Sequence, residues 1–246
     1  MVIRRTIDIA TPDGTCDCTV AHPENGPAPA ILMFMDGIGI RPALVEMAER
    51  FAAEGYFVLL PNMFYRAGRA PVFDYTTILA PENRPRLMAF VQSLTPEAVT
   101  RDAGAFVDFI TAQPEARPGP MGTIGYCMGG GMVMRAAAHC PDRIAAGASF
   151  HAGRLATDDP ASPHRLAPTI KAELYFGHAD QDAGMPPEQM ERLAQALTEA
   201  HVRFRAELYT GALHGFTQSD LPAFNAPACD RHWREALALF KRTLQR

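Results

Sequence analysis

The chain has 246 residues, 48% of them hydrophobic and 20% charged, with a formal net charge of −4. That is enough chain to bury a sizeable core without staples, and with no block of basic residues it carries no nucleic-acid footprint. No run reaches the length of a membrane span, and Met1 to Ala10 holds Arg4 and Arg5 with no apolar signal region after them, so a soluble, cytoplasmic setting is expected.

In chain order, Met1–Ala10 alternates, Thr11-Pro-Asp-Gly14 reads as a turn, and Cys16–Ala21 returns as the partner strand of a hairpin. Ala30–Met35 is a short apolar run that fits a buried strand. Ala43–Ala53 has helical periodicity and ends at Gly55, a plausible C-cap. Tyr56–Leu60 is a second buried run, stopped by Pro61. Residues 62–95 are the least regular, with a short helix expected near Arg86–Leu94. Pro96–Ala112 reads as a helix with Thr95 as N-cap and Glu97 in its first turn.

Gly122–Tyr126 then reads as a strand, Met128–His139 as a helix ended by Pro141, and Ile144–His151 as a strand. A loop rich in Pro, Asp and Ser follows. Thr169–Gly177 is expected as a strand, Pro187–Ala200 as a helix, Phe204–Tyr209 as a strand and Cys229–Leu244 as the last helix. Alternation of strands and helices after a hairpin predicts an α/β fold: a mostly parallel central sheet with helices on both faces. No repeat or linker divides the chain, so residues 1–246 are expected to form one domain.

The five cysteines, Cys16, Cys18, Cys127, Cys140 and Cys229, are odd in number and irregularly spaced, which argues against a disulfide framework. Cys127 has a different setting. Gly125-Tyr126-Cys127-Met128-Gly129 places a nucleophile between two glycines where a strand ends and a helix begins. A sharp turn there holds the nucleophile in a strained conformation, and the glycines admit close backbone approach. The Met128 N–H lies at a helix N-terminus, where it can stabilise a developing oxyanion. Gly130 and Gly131 extend the small-residue surface toward the sheet.

Triads built on such a turn run in chain order nucleophile, acid, base. Gly177-His178-Ala179-Asp180-Gln181-Asp182 follows a strand, and His214 lies in Gly211-Ala212-Leu213-His214-Gly215-Phe216 after the last strand. His214 is therefore the expected base. Other histidines have plainer settings: His139 near a helix end, His22, His164 and His201 in solvated positions, His151 at a strand end, His232 on an amphipathic helix, and His178 just ahead of the acid loop. No His/Cys/Asp cluster has metal-ligand spacing, so no metal and no cofactor are expected.

These residues resemble the dienelactone hydrolase family of the α/β-hydrolases. The specific part is Gly125-Tyr126-Cys127-Met128-Gly129-Gly130, with Cys where the wider fold has Ser. Met35-Asp36-Gly37-Ile38-Gly39, Gly55-Tyr56 with Pro61, and Gly211 through Phe216 support it. The resemblance runs from about Ile31 to the last helix. It implies an α/β-hydrolase fold and hydrolysis of a small-molecule ester or lactone through an acyl-thioester on Cys127, with His214 as base and an aspartate orienting it. It also implies an oxyanion hole from the backbone N–H groups of Met128 and Gly37.

In the family an acidic residue, usually Glu, follows the early strand and contacts the thiol; Asp36 stands there, one methylene shorter. Its alternative role is to hold local N–H groups in a turn. The acid is Asp182 or Asp180: Asp182 has Pro186 at the family's spacing, whereas Asp180 stands three residues after Gly177. Family members grip an anionic substrate with an arginine four residues after the histidine; Gln218 stands there, with Arg84 or Arg86 as a second candidate. Loss of that clamp removes a charge-assisted bond worth ~1.5–3 kcal/mol, so a neutral substrate is as well suited.

Readings from other classes are a thiol redox enzyme, which lacks a resolving cysteine near Cys127; a non-catalytic small-molecule receptor on the same fold; and an acyltransferase using the same cysteine. No nucleic-acid or membrane partner is expected, and a monomer is the default.

Overall fold

The computed structural model describes residues 1–245. The chain divides into two compact units, Met1–Gly119 and Pro120–Arg246.

The first unit opens with the hairpin. β1 (Val2–Thr11) pairs antiparallel with β2 (Gly14–Pro23) in unbroken register from Val2↔Pro23 to Thr11↔Gly14. β3 (Ala30–Phe34), α1 (Pro42–Ala53) and β4 (Phe57–Pro61) form a β-α-β crossover with β3 and β4 parallel, and β4 joins antiparallel to β2, giving the order β1-β2-β4-β3. Every residue of β3 and β4 is buried, which is why both read as continuous apolar runs. α1 ends at Gly55, φ 91°, with Tyr56 N–H bonded to the Phe51 carbonyl and Gly55 N–H to that of Ala52, the paired bonds of a Schellman cap.

The irregular stretch after β4 is anchored by buried aromatic packing of Phe64 and Phe73 with Phe90 and by polar bonds. Arg66 grips the fully buried Asp102 through both guanidinium ends at 2.9 Å, and the Tyr65 hydroxyl donates to the same carboxylate. α2 (Arg84–Ser93) begins two residues before its expected start, and α3 (Pro96–Thr111) is capped by Thr95, whose hydroxyl accepts from Ala98 N–H.

The second unit is wholly parallel in its strands: β5 (Met121–Tyr126), β6 (Ile144–Phe150), β7 (Glu173–Ala179) and β8 (Phe204–Tyr209) lie side by side in chain order. α4 (Met128–His139) connects β5 to β6, α5 (Pro187–Glu199) connects β7 to β8, and α6 (Ala226–Leu244) closes the unit. Side-chain alternation assigns the faces. A Cβ on Gly122 of β5 would lie 2.7 Å from Phe240 of α6, whereas one on Gly147 of β6 would lie 2.8 Å from Val133 of α4. Since Gly147 pairs with Thr123, next to Gly122, α4 and α6 cover opposite faces.

In this unit two expected starts move by three residues or more. β7 starts at Glu173, not Thr169, because Pro163–Thr169 winds into a 3₁₀ helix before the strand can pair. α6 starts at Ala226, three residues early, because the Asn225 side chain accepts from Ala228 N–H and caps it. In a parallel sheet all C-terminal strand ends share one edge, where α/β folds place their ligand sites. Here the residues just past β5, β6, β7 and β8 gather there.

Candidate active site

The turn after β5 is built as its glycines demand. Cys127 has φ 54°, ψ −119°, a conformation costing a non-glycine residue roughly 1–3 kcal/mol. It is pinned on both sides: its N–H donates to the Phe150 carbonyl at 3.1 Å, and its carbonyl accepts from Gly130 N–H at 3.1 Å. A Cβ on Gly125 would sit 2.1 Å from the Gly129 carbonyl oxygen, and one on Gly130 would sit 2.3 Å from Ser149 Oγ and 2.4 Å from Ala152 Cβ. Gly131 is different; its nearest neighbour would be an ordinary 3.6 Å contact with Pro163. Cys127 is half-buried and occupies the N-cap position of α4 without capping it through its side chain, so Met128 supplies the first helical N–H.

His214 stands in the loop after β8, and its Nδ1 lies 2.6 Å from Asp182 Oδ2 in the loop after β7. The Asp182 side chain is 7% exposed and the His214 ring 40%. Desolvation opposes a charge on the His214 ring, but the bond to Asp182 and the influence of Cys127 outweigh it and raise the imidazole to about 10. For Asp182 desolvation pulls upward, and the bond to His214 with the Gly184 N–H overrides it, leaving the carboxyl below its usual value. Gly184 N–H holds the other oxygen, Oδ1, at 2.8 Å.

Asp180, the alternative acid, turns elsewhere. Its Oδ2 accepts from Gly211 N–H at 2.8 Å and its own N–H donates to the Ala212 carbonyl, so it braces the loop that carries His214. Gln218 is completely buried, and neither its amide nitrogen nor its oxygen has a hydrogen-bond partner.

Asp36 and Gly37 belong to the first unit, just past β3. Asp36 Oδ1 accepts from Ile38 N–H and from Arg41 Nη1, both at 2.9 Å, in a pair with almost no solvent exposure. This is the turn-holding role, strengthened by a guanidinium five residues on; Oδ2 of the same carboxylate is buried without a partner. A Cβ on Gly37 would meet Val91 at 3.2 Å.

Two histidines expected in solvated positions lie elsewhere. His22 and His164 are buried, not solvated: His22 bonds the Pro23 carbonyl and stacks near Phe57, and His164 bonds Ser162. His232 is fully buried, with its Nε2 3.0 Å from the Tyr126 hydroxyl, next to the turn. His151, expected only at a strand end, packs its ring 5.3 Å from that of His214. Its position immediately after a central parallel strand was the available signal. None of the five cysteines is in a disulfide. Among the described residues no group of His, Cys, Asp and Glu could hold a metal ion, and no helix is long and apolar enough to cross a membrane.

The family model described as the dienelactone hydrolase family matches residues 16–244. The chain belongs to the dienelactone hydrolase family. It is a hydrolase of that family, with an α/β-hydrolase fold. Proteins named as carboxymethylenebutenolidases are 28% identical to it in Methylorubrum extorquens, over 98% of this chain and 81% of that protein, and 27% identical in Synechocystis, over 89% and 88%. Among solved structures, a dienelactone hydrolase from Klebsiella pneumoniae superimposes with a TM-score of 0.88 at 20% identity, covering 98% of this chain and 99% of that one. A dienelactone hydrolase-like promiscuous phosphotriesterase from metagenomic libraries gives 0.82 at 24%, covering 98% of each. These two likenesses concern the fold.

Proposed function

We propose that this dienelactone hydrolase family member cleaves a small carboxylic ester or lactone with Cys127 as nucleophile, His214 as general base and acid, and Asp182 as the group orienting His214. The observation that carries the reading is the 2.6 Å contact between Asp182 Oδ2 and His214 Nδ1. Asp182 holds the imidazole by Nδ1, which leaves Nε2 for the thiol proton.

The thiol proton passes to His214 first, where the raised imidazole holds it, and Cys127 Sγ then attacks the carbonyl carbon. The negative charge moves onto the carbonyl oxygen, beside the Met128 N–H at the positive end of α4. Collapse breaks the C–O bond. His214 returns the proton to the alkoxide, which departs as an alcohol, or stays tethered if the substrate is a lactone. Water then gives a proton to His214 and attacks the thioester carbonyl; collapse releases the carboxylic acid and restores the thiol. Relatives named as carboxymethylenebutenolidases suggest a lactone. Gln218 carries no charge, which favours a neutral one over a carboxylate-bearing one.

The test is steady-state hydrolysis of p-nitrophenyl acetate, a simple neutral lactone and cis-dienelactone by wild type and Cys127→Ala. The expected result is activity in the wild type that falls by several orders of magnitude in the variant, with ~10³–10⁴-fold residual catalysis over water at most. Equal rates in the two proteins would remove Cys127 from the mechanism.

A further inference from the structure

The residue that follows β6 is placed at a backbone cost. His151 has φ 39°, the left-handed region that a non-glycine residue enters only at a steric cost. Its N–H is locked to the Gly177 carbonyl at 2.8 Å, which holds the strained turn against β7. The outcome of that strain is a fully buried imidazole aimed along the C-terminal edge of the strands.

That ring touches the His214 turn at three points. It meets the His214 ring edge-on, 5.3 Å between centroids with planes at 64°. It meets the Phe216 ring at 5.1 Å and 75°. Its Nε2 lies 2.8 Å from the Thr217 hydroxyl. On its other side lies the Tyr126 ring, 6.0 Å away, one residue before Cys127. The remaining ring nitrogen, Nδ1, is buried without a partner, a desolvation cost that a phenyl ring in the same place would avoid. A strained backbone and an orphaned polar atom in one residue are both unfavourable to stability, and such residues cluster at functional sites.

We propose, resting on the reading of His214 as the catalytic base, that His151 is a positioning residue whose uncharged ring, tied to Thr217, sets the orientation of the His214 imidazole. His151 is wholly enclosed and acts through His214. The ionisable groups facing it are His214 after β8, His232 of α6 and Tyr126 of β5. Burial first, then the fields of His214 and His232, hold His151 far below the usual histidine range, and burial holds Tyr126 protonated. The contact therefore stays neutral while His214 carries its proton.

The experiment compares wild type with His151→Phe, which keeps an aromatic edge but loses the Thr217 bond, with Thr217→Val, which removes the partner and leaves His151 in place, and with His151→Gln, whose amide reaches Thr217 as the Nε2 does. Two readouts are taken: p-nitrophenyl acetate kinetics and the titration of the His214 ring by NMR, which needs no turnover. His151→Phe and Thr217→Val are expected to lower kcat by roughly 10- to 100-fold with little change in KM, and to move the His214 midpoint from about 10. His151→Gln should recover part of both. If both folded variants keep the wild-type kcat and midpoint, the proposal is overturned. A shifted midpoint in an enzyme that hydrolyses none of the esters would uphold the positioning and overturn the hydrolytic reading instead.

Discussion

Gly125 faces the carbonyl of Gly129 across the turn so closely that a Cβ on the first would lie 2.1 Å from the oxygen of the second. Gly129 is part of α4, so relief would require moving the helix that fixes Cys127. Gly125→Ala is expected to destabilise the fold by about 3 kcal/mol or more and to abolish hydrolysis in whatever folds. Urea denaturation checks the first and ester turnover the second; a stable, active variant would mean that the turn is looser than this contact implies.

The two loop aspartates separate by function. Asp182→Asn is expected to lower kcat by roughly 10²–10⁴-fold, because an amide can present a donor to Nδ1 and reverse the tautomer. Asp180→Asn removes a charged acceptor from Gly211 N–H; it is expected to cost about 1 kcal/mol of stability and to leave kcat within severalfold. Paired kinetics and thermal melts of both variants check this. A larger loss of kcat from Asp180→Asn would reverse the assignment.

The parts of this site legible in the sequence are those fixed by neighbours in the chain. Gly125, Gly129 and Gly130 act within one turn, so the turn and the bounds of α4, Met128–His139, could be read directly. The order Cys127, acid, His214 follows from parallel strands lying in chain order. What could not be read depends on sideways neighbours. His151 meets His214 because the ends of β6 and β8 lie along one edge, and no local pattern encodes that distance. Asp36 is taken up by Arg41 only once the turn after β3 closes. His22 and His164 looked solvated because a polar side chain in a loop usually is; their burial is imposed by what packs over them.

Gln218 carries two buried amide atoms with no hydrogen-bond partner. Gln218→Met keeps the volume and removes both. It is expected to stabilise the fold by about 1–3 kcal/mol, which for a chain of this size raises Tm by roughly 2–4 °C per kcal/mol. If the amide serves substrate, KM for the preferred lactone rises in the same variant. A fall in Tm would show that the amide is satisfied in solution.

Acid sensitivity should come from buried neutral histidines. Burial first, partly offset by Asp182, pushes His178 down to about 4, and His151 moves in the same direction. A base whose folded value lies below its unfolded one binds fewer protons when folded. Its stability contribution is intact above about pH 6.5 and is lost as pH falls toward 4, by about 3 kcal/mol for His178. His214 has the opposite sign: raised to about 10, it contributes fully below about pH 6.5 and loses that contribution as pH rises through 10, so it is flat in the acid window. Asp182, depressed, matters only below the ordinary carboxylate range. Urea midpoints measured between pH 7 and pH 4.5 should therefore fall steeply, and His178→Asn should flatten the fall; an unchanged slope in that variant would move the acid sensitivity to other groups.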